Sequence, residues 1–233
     1  MDDLRREDLS PILVSTVFVS STRGDLDAFR KAVAWLQRTR FNVTESFPAD
    51  EWSSVTTPEQ IVAECRRRVF SADAFVLILG PWAGWSPPGH IESITHLELK
   101  WARVHFAEVR QSLDRIFKLK NLPELVHLSD VPRILVLTAG ADKRLRTGSD
   151  GGPALLRIED TVKPLLAEFT KEELEGIKTS LGQFHQEVYE AVDAHEALLY
   201  SFNEMEDMEM RVLETFQRWN TISAKCWSLL SRV

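Results

Sequence analysis

The sequence predicts an α/β fold in which a parallel sheet has helices on both faces, followed by an α-helical C-terminal region. Over the first 150 residues, short apolar segments alternate with segments whose apolar residues recur at helical spacing. The apolar segments are mostly unbroken, as in strands that are buried on both faces. Because alternating strands and helices connect through right-handed crossovers, we expect a Rossmann-like parallel sheet.

Four strands are predicted from runs rich in apolar and β-branched residues. They cover residues 12–19, 41–47, 74–80 and 133–138. The run at 74–80 is continuous in apolar residues, which indicates a central position in the sheet.

Three helices are predicted between these strands. The first follows Asp25, and its apolar residues recur at helical spacing at Leu26, Phe29, Val33 and Leu36. The second begins with Thr57 as N-cap and Pro58 at the first helical position, and runs to about residue 70. A capping signal at Ser93 begins the third, whose apolar residues are Leu97, Trp101, Val104 and Val109.

The charge distribution divides the chain into an α/β domain at residues 1–150 and an acidic helical region at residues 151–233. The first part has 20 basic and 20 acidic residues, and the second has 8 and 15, so the net charge of −7 lies in the second. Apolar residues at helical spacing extend from Val188 to Cys226. Two interpretations remain open: the stripe packs on its own domain, or it forms a helical hairpin that binds a second copy or a partner protein.

Composition excludes several functional classes. The polar start and the lack of a long apolar run predict a cytoplasmic protein without a signal peptide or membrane contact. Cys65 and Cys226 stand far apart without metal-ligand spacing, so we expect buried thiols and no metal site. The basic cluster Arg66-Arg67-Arg68 is interpreted as a solvated helix face, and no direct nucleic-acid binding is expected.

Several polar and aromatic residues follow the predicted strands and should meet at the carboxyl edge of the sheet, where such folds bind ligands. Hydroxyl and backbone N–H groups favour phosphate after the first strand, and an arginine there adds positive charge. We expect tryptophans after the third strand to stack on a base. The predicted ligand-binding residues are Ser20, Ser21, Thr22, Arg23, Trp82, Gly84 and Ser93.

Glu98 lies about one turn inside the third predicted helix, and its side chain is able to lean back toward that edge. On composition alone, an isolated helix glutamate is most often a solvated surface residue. By the same standard His96 is an ordinary surface or core histidine. The residues alone therefore leave the role of Glu98 open.

Five ordered segments of the chain resemble one family. They are residues 17–26 (VFVSSTRGDL), 45–49 (ESFPA), 74–80 (AFVLILG), 86–89 (SPPG) and 93–98 (SITHLE). Together, over about residues 14–140, they resemble a TIR-like domain family of uncharacterised function. Its members typically stand at the N-terminus of prokaryotic proteins with STAND or NACHT-type modules. His96 departs from the family pattern, in which an acidic residue is common.

The resemblance implies a fold similar to TIR and nucleoside deoxyribosyltransferase domains, and a role in antiviral defence. Enzymatic members of those groups break the N-glycosidic bond of NAD or nucleosides with a helix glutamate. The segment LELKWA, residues 97–102, is similar to the one that contains that glutamate, which assigns the catalytic role to Glu98. The carboxylate would attack or stabilise the anomeric carbon as the base departs.

We therefore expect an effector that cleaves NAD or a related nucleotide as substrate, without a cofactor. The alternative is a non-catalytic module that senses a nucleotide or binds a protein and assembles through its C-terminal helices. A salvage hydrolase or transferase would share the chemistry, but it would not need the acidic helical extension. The position of Glu98 should discriminate between the two: an open pocket shared with the Ser20 loop favours an enzyme, and a glutamate that is exposed or salt-bridged on a closed surface favours a module.

Overall fold

In the computed structural model, the described residues are 14–21, 33, 42–45, 57–79, 85–119, 121–122, 130–139, 170–202 and 205–230. They form five strands: β1 (Thr16–Ser21), β2 (Asn42–Glu45), β3 (Ala74–Leu79), β4 (Ile134–Ala139) and β5 (Ala197–Phe202). Four helices accompany them: α1 (Pro58–Phe70), α2 (Ile94–Leu119), α3 (Lys171–Asp193) and α4 (Met205–Leu230).

The strands form one parallel sheet in the order β2-β1-β3-β4-β5. The strand order changes direction between β1 and β3, so a crevice is expected at the carboxyl ends of these two strands. The predicted Rossmann-like parallel sheet is confirmed.

Local signals set the start of α1 as predicted. The Thr57 side chain accepts a hydrogen bond from Gln60 N, and the Gln60 side chain accepts one from Thr57 N. This reciprocal capping satisfies two N–H groups that have no partner within the helix. Pro58 costs nothing at the first helical position, where its missing N–H is not needed.

The helices cover both faces of the sheet, as predicted. On one face, α1, α2 and α3 pack on strand residues such as Phe18, Phe75 and Val136. On the other face, α4 and the helical residue Val33 pack on the alternate strand residues, among them Val19 and Val76. Val104, assigned to the apolar face of α2, is instead 53% exposed, so that assignment was wrong.

The segment after residue 151 was predicted to contain only helices, and this was wrong because β5 lies within it. The residues Ala197–Phe202 pair in register with β4 and form an edge of the sheet. The apolar stripe from Val188 to Cys226 is therefore not one helix, since α3 and α4 are separated by this strand. Phe184 of α3 and Trp219 of α4 are buried on opposite faces, so the stripe packs on its own domain.

Both cysteines and the basic cluster of α1 lie within the described residues. Cys65 and Cys226 are buried free thiols. Arg66 and Arg67 are exposed on α1, as the solvated helix face predicts, whereas the side chain of Arg68 is only 15% exposed. Arg67 and Arg68 both pair with Glu64. No described helix is long and apolar enough to cross a membrane.

Candidate functional site

The candidate site lies at the carboxyl end of β1, where Ser20 meets Glu98 of α2. Ser20 Oγ donates a hydrogen bond of 2.5 Å to Glu98 Oε2, and both residues are fully buried. Ser20 pairs in register with Leu77 of β3, so the contact lies at the strand pair where the sheet order changes direction. The predicted convergence of Ser20 and Glu98 is thus observed.

Glu98 is 0% exposed, so its surroundings must compensate for the loss of water around a carboxyl group. Ser20 supplies one donor. Cys65 of α1 supplies a second contact, because burial, the charge of Glu98 and a hydrogen bond to Glu98 raise the pKa of its thiol. Cys65 therefore stays protonated and is not a nucleophile in this position. Its proximity to Glu98 was not predicted.

Ser93 sets the start of the helix that carries Glu98. Its side chain accepts a hydrogen bond from His96 N at 3.2 Å, and its carbonyl oxygen accepts one from Leu97 N. Ser93 is fully buried and acts as the N-cap, as its position predicts. In this structure its hydroxyl serves the helix end, and Glu98 lies in the second turn.

Ser21 does not face Glu98. Side chains alternate along a strand, so Ser21 shares its face with Val17 and Val19, which pack against α4. Its hydroxyl is buried without a hydrogen-bond partner among the described residues. The other predicted ligand-binding residues, Thr22, Arg23, Trp82 and Gly84, lie outside the described residues.

Helix α3 covers the side of α2 that faces away from β1. His96 is buried and stacks on Phe184 of α3, with ring centroids 4.7 Å apart. Its Nε2 lies 3.1 Å from a Glu187 carboxylate oxygen, without the alignment of a hydrogen bond. Burial lowers the pKa of His96, and Glu187 opposes part of that shift.

Lys100 links the same helices at the surface. Its ammonium group lies 2.7 Å from Glu92, just before α2, and 3.2 Å from Glu187 of α3. These contacts hold α3 against the first two turns of α2, which include Glu98. A helix after residue 170 therefore contacts the turns of α2 that contain the candidate catalytic residue, and local sequence patterns gave no signal for this.

The arrangement provides one buried carboxylate with a fixed hydroxyl donor at the carboxyl edge of the sheet, where folds of this class bind ligands. Among the described residues, no group of three or more histidine, cysteine or acidic side chains is placed to hold a metal ion. The chemistry available is that of a carboxylate, which can attack an electron-poor carbon or stabilise positive charge on it.

The site lies within the part of the chain that matches a known family. Residues 16–111 match the model of a domain family described as a domain of unknown function (DUF4062). This matched segment contains β1 to β3, α1 and most of α2, and therefore both Ser20 and Glu98. No curated protein and no solved structure matches the chain.

Proposed function

We propose that this chain cleaves the N-glycosidic bond of NAD or a related nucleotide, with Glu98 as the catalytic carboxylate. The observation that supports this most is the placement of Glu98 beside the carboxyl end of β1, next to β3, with Oε2 held by Ser20. The resemblance to TIR and deoxyribosyltransferase domains assigns the same glutamate. The same resemblance suggests a role in prokaryotic antiviral defence.

In the proposed reaction, the bond between the anomeric carbon and the base nitrogen breaks, and the base leaves with the bonding electrons. The Glu98 carboxylate attacks the anomeric carbon or stabilises its positive charge. The oxygen of a water molecule then bonds to that carbon, displacing the Glu98 carboxylate where an ester has formed, and the water loses one proton to solvent. Ser20 would fix the carboxylate orientation, since one oxygen is already held by its hydroxyl.

The enclosure of Glu98 sets a condition on this reaction. A carboxylate that is 0% exposed contacts a substrate only after the surrounding side chains rearrange. We therefore expect turnover to depend on ligand entry or on assembly of several copies, and activity should be measured across a range of protein concentrations.

The test compares wild type with Glu98→Gln and with Glu108→Gln. Glu108 is an exposed residue of the same helix, which makes it a matched control. We expect wild type and Glu108→Gln to release nicotinamide from NAD or the base from nucleosides, and Glu98→Gln to be at least about 100-fold slower. Equal turnover by all three proteins would refute the role of Glu98.

The second candidate is a non-catalytic module that binds a nucleotide or a protein, and the enclosure of Glu98 favours it. A buried carboxylate that contacts Ser20 and Cys65 also fits an internal residue that ties β1, α1 and α2 together. In that case, nucleotides bind without turnover by wild type at any concentration. Glu98→Gln then changes the free energy of unfolding and leaves no activity to lose.

A further inference from the structure

A second polar position lies at the carboxyl edge of the sheet, beside the site of Glu98. The ends of β3 and β4 border a cavity of about 10 Å³, lined by Leu79, Thr138, His185, Val188, Tyr189 and Leu199. By strand alternation, Leu79 and Thr138 point to the face that also has Ser20 and α2. The cavity and Glu98 therefore share one edge and one face of the sheet.

His185 and Tyr189 of α3 are the titratable residues of this cavity. The Nε2 of His185 is buried and has no hydrogen-bond partner among the described residues. Burial lowers the pKa of His185 to about 4, so the ring is uncharged at neutral pH. A buried polar atom of this kind normally has a partner in the functional state of a protein.

The size and charge of the cavity restrict that partner. A volume of about 10 Å³ accepts one group of the size of a water molecule. A phosphate or carboxylate group is larger and would favour a charged imidazole. A hydroxyl group fits, because it both donates and accepts and so matches either tautomer of a neutral ring. Thr138 Oγ1, which donates to Ser201 Oγ at 2.9 Å, adds a polar atom to the wall.

We propose that His185 binds a hydroxyl group of the nucleotide, namely a ribose hydroxyl, and so extends the site from β1 across β3 to β4. This inference rests on the proposed nucleotide ligand. Two strand spacings separate β1 from β4, or about 10 Å, which a nucleotide can span. Helix α3 would thus contribute a ligand-binding residue from outside the matched segment, residues 16–111.

The experiment measures binding of adenosine, 2′-deoxyadenosine and 3′-deoxyadenosine by calorimetry to wild type, His185→Phe and His195→Asn. Phenylalanine keeps a planar apolar ring without nitrogen atoms. His195 is an exposed control with φ of 57°, a conformation that asparagine tolerates. We expect one deoxynucleoside to bind wild type and His195→Asn about tenfold more weakly than adenosine, and all three to bind His185→Phe equally.

One further variant and one folding control protect this interpretation. His185→Asn, which retains hydrogen-bonding capacity, should recover part of the preference for the hydroxyl. Unchanged melting temperature and near-UV circular dichroism of His185→Phe would exclude misfolding as the cause. If His185→Phe misfolds, the comparison of adenosine with its deoxy analogues on wild type and His185→Asn decides.

Several results would overturn the inference. They are equal binding of adenosine and both analogues to wild type, an unchanged preference in His185→Phe, or no nucleoside binding at all. Equal binding would indicate that the cavity holds only a structural water. Hydroxyl-dependent binding through His185 without turnover of NAD would uphold this inference and refute the proposed glycosidase activity, so the two failures are distinguishable.

Discussion

The matched segment, residues 16–111, and the C-terminal segment, residues 130–230, differ in what they add to the same sheet. The matched segment contains Ser20 and Glu98 but only three of the five strands. The C-terminal segment contributes β4 and β5 and one helix to each face. The candidate chemistry therefore lies in one segment, while the other completes the core and supports α2.

This difference indicates that the family match does not mark a complete folding unit. Without β4, the edge of β3 would be unpaired, although β3 is buried along its whole length. Without α3, the buried ring of His96 would lose its stacking partner Phe184. The C-terminal segment is thus part of the structure that holds Glu98 in place.

Deletion of residues 170–233 should have the largest effect on folding. It removes β5, α3 and α4, and exposes apolar residues on both faces of the sheet. We expect the truncated chain to lose cooperative unfolding in urea and to show a reduced helix signal by circular dichroism. A truncated chain that unfolds cooperatively would show that residues 1–169 fold independently.

Trp219→Ala tests how much the packing of α4 on the sheet contributes to stability. Trp219 is buried against the sheet, and its indole N–H donates to the Pro132 carbonyl oxygen at 2.8 Å. We expect a loss of about 3–5 kcal/mol in the free energy of unfolding, measured in urea. Leu213→Ala, at a half-exposed position of the same helix, is the control and should cost less than about 1 kcal/mol. Similar losses at both positions would contradict the described packing.

Acid should lower the free energy of unfolding through protonation of His185 in α3. Because burial lowers its folded-state pKa to about 4, the unfolded chain binds the proton more readily between about pH 4 and 6.5. His185 thus contributes a loss of stability on the order of 3 kcal/mol as pH falls through this window, and none above it. His185→Phe should unfold with a weaker pH dependence than wild type, as measured by denaturation at several pH values. Parallel pH profiles of the two proteins would exclude this contribution.

Ser20→Ala changes a residue of the matched segment. It should give the smallest loss of stability among these variants. It removes a hydroxyl that donates to the buried Glu98 carboxylate, at a cost of about 1–3 kcal/mol in the free energy of unfolding. Ser21→Ala is the control, because the neighbouring hydroxyl has no partner among the described residues. We expect Ser21→Ala to be neutral or stabilising. A larger loss of unfolding free energy in Ser21→Ala than in Ser20→Ala would contradict the described hydrogen bond between Ser20 and Glu98.

The sequence predicted most of the matched segment because its signals are local. The unbroken run at 74–79 and the capping residues Thr57 and Ser93 define β3, α1 and α2 without reference to distant residues. β5 escaped prediction because its six residues lie within an apolar pattern of helical spacing that extends on both sides. Its tyrosine and phenylalanine were the available signals for a strand.

Part of the site was predicted, because the positions of strand ends follow from local sequence signals. Ser20 and Glu98 were expected to converge because the ends of parallel strands share one edge. Alternation along β1 already implied that Ser20 and Ser21 point to opposite faces, a step that the expectation for both residues omitted. Contacts of Glu98 with Cys65, and of His96 with Phe184, depend on packing between distant helices and have no local signal.

A crystal structure of Glu98→Gln with bound NAD would show whether position 98 faces the scissile bond. The quantity to measure is the distance from the side-chain carboxamide at position 98 to the anomeric carbon bonded to nicotinamide. We predict a distance of about 3–3.5 Å, with Ser20 still in contact with that side chain. NAD bound elsewhere, with position 98 still enclosed between Ser20 and Cys65, would contradict a catalytic role and support a binding module.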